Sequence, residues 1–253
     1  MKNALIEISG VGMRFDTVDA LHNISLAVER KRFVSIVGPS GCGKSTLMRI
    51  VAGLVRPTSG EVRIEGETVH RPHPGVGIVF QSATLLPWKS VRGNIALQLE
   101  LRGLKPSEHA AAIDGLIRLT GLQGFENHLP HQLSGGMQQR VSICRALVHD
   151  PELLLLDEPF GALDAMTRET MNLELQRIWL DRRKTVLMIT HGIAEAVFLS
   201  DIVVVMSARP GRIERIIEID LERPRRPDID DDPRFREYVK DIRKMFGEAL
   251  ALD

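Results

Sequence analysis

The amino-acid sequence predicts an α/β fold with a mostly parallel sheet, an N-terminal antiparallel β layer and an inserted helical subdomain. Three observations carry that prediction. Apolar runs of strand length, such as "ELLLLD" and "DIVVVMSA", read as strands buried on both faces. In the second half of the chain these runs alternate with helical stretches, the pattern of a parallel sheet covered on both sides. Between the two β-rich parts, residues 91–149 read as helices punctuated by Gly and Pro.

In chain order, β-type runs come first: "LIEISGV" (5–11), "ISLAVE" (24–29), "FVSIVG" (33–38), "EVRIEGETV" (61–69) and "VGIVF" (76–80). A helix from about Ser45 to Leu54 directly follows "FVSIVG". The insertion, residues 82–150, contributes "VRGNIALQLELRGL", "PSEHAAAIDGLIRLTGL" and "GGMQQRVSICRALVHD" as helices. Then come "ELLLLD", a helix over Thr167–Arg182, "TVLMITH", a helix over Ile193–Leu199, "DIVVVMSA" and "RIERIIEID". Residues 1–220 thus form one domain carrying the insertion, and 221–253 a C-terminal linker and amphipathic helix. In that tail, "RPRRPDIDDDP" reads as linker, and Asp232-Pro233 as a cap followed by proline at the first helical position. Phe235, Tyr238, Val239, Ile242, Met245 and Phe246 recur at helical spacing. Such a face packs on the body of the same chain or, alternatively, receives a partner.

Composition narrows the function classes. Lys+Arg and Asp+Glu number 33 each, so the basic excess expected of nucleic-acid or anionic-lipid binders is missing. Two cysteines, Cys42 and Cys144, make no disulfide framework and favour a reducing compartment. The opening "MKNALIEISGVGMRF" has no sustained apolar region, so no signal peptide is expected. No apolar run approaches the roughly 18 residues that span a bilayer. A membrane role would therefore pass through a partner.

The chemistry concentrates at strand ends. "GPSGCGKST" (Gly38, Pro39, Ser40, Gly41, Cys42, Gly43, Lys44, Ser45, Thr46) follows a strand and opens a helix, the setting a phosphate-binding P-loop requires. Its glycines permit the positive φ that turns backbone N–H groups toward phosphate oxygens. Lys44 is expected to reach the β/γ-phosphates and the Ser45 hydroxyl to bind Mg²⁺, while Cys42 fills a variable slot. "LLLLDEP" places Asp157 at a strand's carboxyl end as a Mg²⁺ ligand and Glu158 as the base that orients an attacking water. Gln81 ends "VGIVF" and suits Mg²⁺ or that water. His191 ends "TVLMITH" and suits the γ-phosphate. The whole reads as an ATP-hydrolysing P-loop NTPase core.

"LSGGMQQR" (133–140) is a second anion-binding device: a serine and two glycines opening a helix. One nucleotide needs one P-loop, so Ser134, Gly135 and Gly136 are expected to close over ATP held by a second copy, head to tail.

These motifs, with "FGALD" and "ITH", resemble ATP-binding cassette ATPases in order and spacing over residues 4–220. The resemblance implies that Ser134, Gly135, Gly136 and Gln138 form the signature motif and that Asp164 is the D-loop aspartate coupling the two sites. It also implies that Phe15 stacks on adenine in a position more often held by tyrosine. "ATLLPWKSVRGNI" (83–95) and "VVVMSARPGRI" (203–213) are similar to the subgroup that powers nitrate, sulfonate and taurine importers. That subgroup implies an ATPase subunit on the cytoplasmic side of the bacterial inner membrane. Its partners are a second copy or a homologous ATPase, membrane permease subunits and, indirectly, a periplasmic binding protein. Trp88 belongs either to the groove that receives the permease or to the interior of the helical subdomain. Gly192 and Gly161 depart from the family's usual Asp and Ser. The alternative is a soluble cassette ATPase of nucleic-acid repair or translation, against which stand neutral charge, a single cassette and no room for long coiled coils.

Overall fold

The computed structural model describes residues 4–250, with side chains through residue 246. Residues 1–3 of the predicted ATPase domain and 251–253 of the predicted tail lie outside the described residues. Two sheets organise the chain. The first is antiparallel, in the order β2-β1-β4-β5, built from β1 (Ala4–Phe15), β2 (Val18–Glu29), β4 (Ser59–Ile64) and β5 (Glu67–Thr68). Its buried Ile6, Ile8, Val11, Ile24, Leu26 and Val28 pack over the central sheet's Val34 and Ile36. The run 61–69, expected as one strand, is instead a hairpin. Glu65 and Gly66 both have positive φ, 55° and 81°, and Ile64 pairs directly with Glu67. Two residues with positive φ make the tight turn whose twist matches antiparallel strands.

The second sheet is the core of the molecule. It contains β3 (Phe33–Val37), β6 (Val76–Val79), β7 (Leu153–Asp157), β8 (Thr185–Ile189), β9 (Ile202–Met206) and β10 (Ile213–Glu218). Their order is β10-β9-β3-β8-β7-β6, parallel throughout except for β10, which pairs antiparallel with β9 at the edge. Every residue of β3 and β8 is buried, as strands covered on both faces require.

Among the described residues seven α-helices complete the fold: α1 (Lys44–Val51), α2 (Val91–Leu101), α3 (Ala110–Leu119), α4 (Gly135–Leu147), α5 (Ala165–Arg182), α6 (Ile193–Leu199) and α7 (Pro233–Leu250). A 3₁₀ turn, Pro106–His109, leads into α3 where the sequence suggested a single helix. Helices α2, α3 and α4 join the main core through Leu99, Ile117 and Ile143. Ser90 and Ser134 cap α2 and α4 by accepting from Gly93 N (3.2 Å) and Met137 N (3.3 Å).

The tail is built into the body. Phe235 and Ile242 of α7 are buried in the main core, and Asp232 caps this helix by accepting from Arg234 N at 2.8 Å. The stretch before it, which its prolines and charges suggested was a linker, contains the 2 % exposed Arg225. Its Nη1 donates to the carbonyls of Val197, Phe198 and Ser200 at 2.6–2.8 Å, closing the carboxyl end of α6. A cation suits that end of a helix dipole. Burial pulls the guanidinium down to about 10, so it stays charged at neutral pH. Gln176 of α5 fixes the same residue by donating to its carbonyl (2.9 Å) and accepting from its N–H (2.7 Å). Replacing Arg225 with Met leaves three carbonyls unpaired, and urea unfolding should then show a loss of about 3 kcal/mol, since each buried unpaired polar group costs about 1–3 kcal/mol. A loss too small to measure would mean the tail is not fastened here.

Candidate functional site

The site lies at the carboxyl ends of four adjacent parallel strands, β3, β8, β7 and β6. Open α/β sheets bind ligands there, because backbone leaves the sheet and side chains can converge. From β3 the chain enters the P-loop and α1. Gly41 and Gly43 have φ of +77° and +101°, a region other residues rarely adopt, and a Cβ at Gly43 would stand 2.8 Å from the Ala20 carbonyl. A cleft of about 530 Å³ opens here. Ser40, Gly41, Gly43, Lys44, Ser45 and Thr46 form its phosphate-loop wall, and the 47 % exposed Phe15 also lines it.

Other predicted P-loop positions support the loop rather than line it. Gly38 and Pro39 present their carbonyls to Lys44 Nζ at 2.7 and 2.9 Å, which compensates the burial of that ammonium. The Cys42 side chain faces the core, and its N–H donates to the Pro39 carbonyl at 3.4 Å. Cys42 therefore offers the cleft nothing from its side chain.

The three neighbouring strand ends deliver the rest. Ser45 Oγ donates to Asp157 Oδ1 at 3.1 Å. Burial raises the Asp157 carboxyl above the usual range, while the Ser45 hydrogen bond opposes that shift. Glu158 is strained into φ 45°, with its N–H held by the Ile189 carbonyl at 2.8 Å. Its Oε2 accepts from Gln81 Nε2 at 3.4 Å and lies 3.3 Å from His191 Nδ1. Gln81, Glu158 and His191, scattered over 110 residues of sequence, thus meet at one carboxylate oxygen.

Ser45, Asp157 and Gln81 supply only hard oxygen donors for a cation, which fits Mg²⁺, an ion that keeps several waters and takes phosphate oxygens as its remaining ligands. No group of three or more His, Cys, Asp or Glu with metal-holding geometry occurs among the described residues, so the protein offers no closed cage of its own.

The two glycines that depart from the resemblance sit where space is short. A Cβ at Gly161 would lie 3.3 Å from both Gln81 Nε2 and Glu158 Oε2, so glycine leaves that pair room. At Gly192 a Cβ would lie 3.2 Å from Glu195 Cβ, beside the buried hydrogen bond from Thr190 Oγ1 to Glu195 Oε2.

The predicted signature residues are elsewhere. Ser134 and Gly135 are exposed at the start of α4, outside the residues that line the cleft. Gln138 Nε2 donates to the carbonyls of Pro130 (2.9 Å) and Leu133 (3.3 Å) and holds the signature loop to its own helix. Asp164 caps α5, accepting from Thr167 N at 3.0 Å and Thr167 Oγ1 at 2.7 Å. The two helix starts touch, for a Cβ at Gly136 would lie 3.0 Å from Thr167 Cγ2.

Sequence reasoning passed over several residues. Asp16, Thr17, Val18 and Ala20 line the cleft beside Phe15, and Arg209 lines it from the far end of the chain. None sits in a recognisable motif, although "SARPG" stood out as a stretch. The segment around and after Gln81 is pinned by three more. Gln139 donates to the Phe80 carbonyl (3.2 Å), Arg145 to those of Ala83 and Thr84 (2.8 and 2.9 Å), and Asn94 to those of Leu86, Lys89 and Ser90. Trp88, at the tip of that segment, is 72 % exposed, so its packing inside the helical subdomain is ruled out.

Comparison with known proteins matches this arrangement. A family model described as ABC transporter covers residues 21–161. An ABC transporter ATP-binding protein of Methanocaldococcus jannaschii, itself uncharacterised, is 52% identical over 92% of this chain and 86% of its own. A nitrate import ATP-binding protein of Synechococcus elongatus is 47% identical over 92% and 87%. An ATP-binding cassette solved as a dimer with ADP and phosphate superposes with a TM-score of 0.74 at 31% identity, covering 86% of this chain and 100% of that one. Strand-end chemistry, exposed signature helix and sequence kinship agree, and the chain belongs to the ABC transporter family as one of its ATP-binding subunits.

Proposed function

We propose that this chain hydrolyses ATP to drive an importer for nitrate, a sulfonate, taurine or a related small solute, working as a head-to-tail dimer on the cytoplasmic side of the membrane. The observation that carries this reading is the convergence of Gln81 and His191 on Glu158 beside the Ser45–Asp157 pair, with the signature serine exposed outside the cleft.

The roles follow from position. Phe15 offers a π-face to the adenine, and the P-loop with Lys44 takes the phosphates. Ser45, Asp157 and Gln81 would hold Mg²⁺, which when bound neutralises charge on the phosphate oxygens. Glu158 orients a water for in-line attack on the γ-phosphorus and accepts its proton as the bond to the bridging oxygen breaks. His191, 3.3 Å from that carboxylate, faces the γ-phosphate and keeps Glu158 in place. Most of the acceleration is placement and charge neutralisation. Ser134, Gly135 and Gly136 close over the nucleotide of the second copy, with Asp164 beside them.

Coupling to the membrane runs through the segment after Gln81. No described helix is long and apolar enough to cross a bilayer, so permease subunits must carry the solute. A groove of about 540 Å³ lies next to this segment, with Phe80, Leu97, Leu101, Arg102 and His149 among its walls. Burial and Arg102 push the His149 imidazole down to about 4, so this ring stays neutral at cell pH. Because Gln139 and Arg145 tie the segment to the signature helix, the γ-phosphate sensor, the docking surface and the partner-facing serine move as one piece. A periplasmic binding protein would deliver the solute. The nitrate-import relative supports the solute class, and the stretches 83–95 and 203–213 point the same way.

Glu158→Gln should retain ATP, lose about 10²–10⁴ in turnover, the usual worth of such a group, and accumulate an ATP-loaded dimer on size exclusion. Turnover at the wild-type rate would refute the assigned base. Mixing Lys44→Ala with Ser134→Arg chains should restore ATPase activity that neither has alone, since one composite site per mixed pair keeps both halves. Absence of recovery at every ratio would sink the shared site. Trp88→Asp should leave ATP-driven dimerisation intact and abolish co-purification with the permease. Unchanged co-purification would remove Trp88 from the docking surface.

A further inference from the structure

Arg209 reaches the nucleotide cleft from a turn to which no motif assigns a role. The turn, residues 207–212, joins β9 to β10, and the guanidinium donates from Nε and Nη2 to the Gly41 carbonyl at 3.2 and 3.0 Å. Among the described residues that line the cleft, Arg209 and Lys44 are the two cations.

The turn does not need this contact to hold its place. Gly211 N donates to the Ala20 carbonyl at 3.0 Å, and His22 N donates to the Gly211 carbonyl at 2.9 Å. Ser207 N donates to the Arg212 carbonyl, and Ser207 Oγ accepts from Arg212 N at 2.9 Å. The fit against the P-loop is close, since a Cβ at Gly211 would stand 2.1 Å from the Cys42 carbonyl oxygen. An anchored turn therefore presents an exposed guanidinium to one peptide of the P-loop.

That peptide joins Gly41 to Cys42. It is planar, so its carbonyl and N–H orient together. Arg209 holds the carbonyl end, and the Pro39 carbonyl takes the N–H end at 3.4 Å. Released, the plane could turn the negative end of its dipole toward the phosphate space, where it would repel an anion.

We propose that Arg209 is a positioning residue of the nucleotide site. It locks the Gly41–Cys42 peptide with its carbonyl away from the phosphates and sets a second positive charge at the rim of the cleft. The proposal rests on the reading of this cleft as the ATP site. It concerns nucleotide affinity rather than the attack on phosphorus, because Arg209 contacts none of Gln81, Glu158 and His191.

The test is a steady-state ATPase assay with trinitrophenyl-ATP titration on the purified full chain. Arg209→Met should raise KM for ATP and Kd for ATP and ADP by about tenfold, the worth of one charge-assisted contact, with kcat reduced less than about threefold. Arg209→Lys keeps the charge but not the planar fork, and should recover part of the affinity. A nucleotide-free thermal midpoint within about 2 °C of wild type is expected, because the turn keeps its own anchors. The proposal is overturned if Arg209→Met binds ATP as wild type does. It is equally overturned if the loss lies in kcat and thermal midpoint with no recovery by Lys. Should wild type bind ATP no better than Lys44→Ala, the cleft itself would be misassigned, and this proposal would fall with it.

Discussion

The level ends of four parallel strands are the constraint on which the rest of this structure depends. In the ladder, Ile36 of β3 and Asp157 of β7 both pair with Ile189 of β8, and Val79 of β6 pairs with Leu156 of β7. Neighbouring strands therefore stop within one residue of each other in height. Glu158 follows its strand by one residue, while Gln81 and His191 follow theirs by two. That common edge is what brings the three side chains within about 3.4 Å of one oxygen. A slip of one residue in any of these pairings would shift its group by about 3.3 Å and point it at the opposite face. The largely apolar, buried strands that made the sheet legible are also what fix this register, since any slip disturbs packing on both faces.

The site was legible where function forces a residue type into a fixed local setting. The P-loop needs glycine at positive φ before a helix, and both Gly41 and Gly43 meet that need. Acidic residues ending an apolar strand, and polar residues ending two others, could be placed from pattern alone. What escaped was whatever depends on long-range contact. Arg209 belongs to no motif, and its contact with the P-loop exists only because the β9–β10 turn folds back on Gly41. Asn94 and Arg145 read as ordinary polar positions on helices, yet they satisfy backbone carbonyls of a loop 8 and 61 residues earlier. The hairpin at Glu65-Gly66 was hidden because its flanks share one β-like composition, and "EG" is a weaker turn signal than "NG" or "DG".

The proline-rich stretch before α7 misled for a related reason. Composition reports an average, and "RPRRPDIDDDP" is on average a solvated linker. One of its arginines is nevertheless committed to the carboxyl end of α6, a second, Arg223, pairs with Asp201 at 3.0 Å and stacks 4.4 Å over Trp179, and the exposed charges surround them. The physical signal was present as a helix end with carbonyls needing donors, but it lay 25 residues upstream.

That fastening bears on the chemistry. Helix α6 begins two residues after His191, and Thr190 before the histidine forms a buried pair with Glu195 of the helix, against which Gly192 is packed. His191 is thus held on one side by the last residues of β8 and on the other by a helix whose far end is closed by Arg225. Backbone held at both ends has lost its conformational entropy on folding, which leaves the 55 % exposed His191 side chain only its own rotamers to lose. The same logic fits Glu158, strained at φ 45° and held through its N–H by Ile189. The tail, far from the cleft in sequence, therefore anchors the helix that follows His191. The strand-end groups of the cleft are assembled within one chain, while Ser134 at the start of α4 is exposed outside it, the arrangement on which the proposed shared site relies.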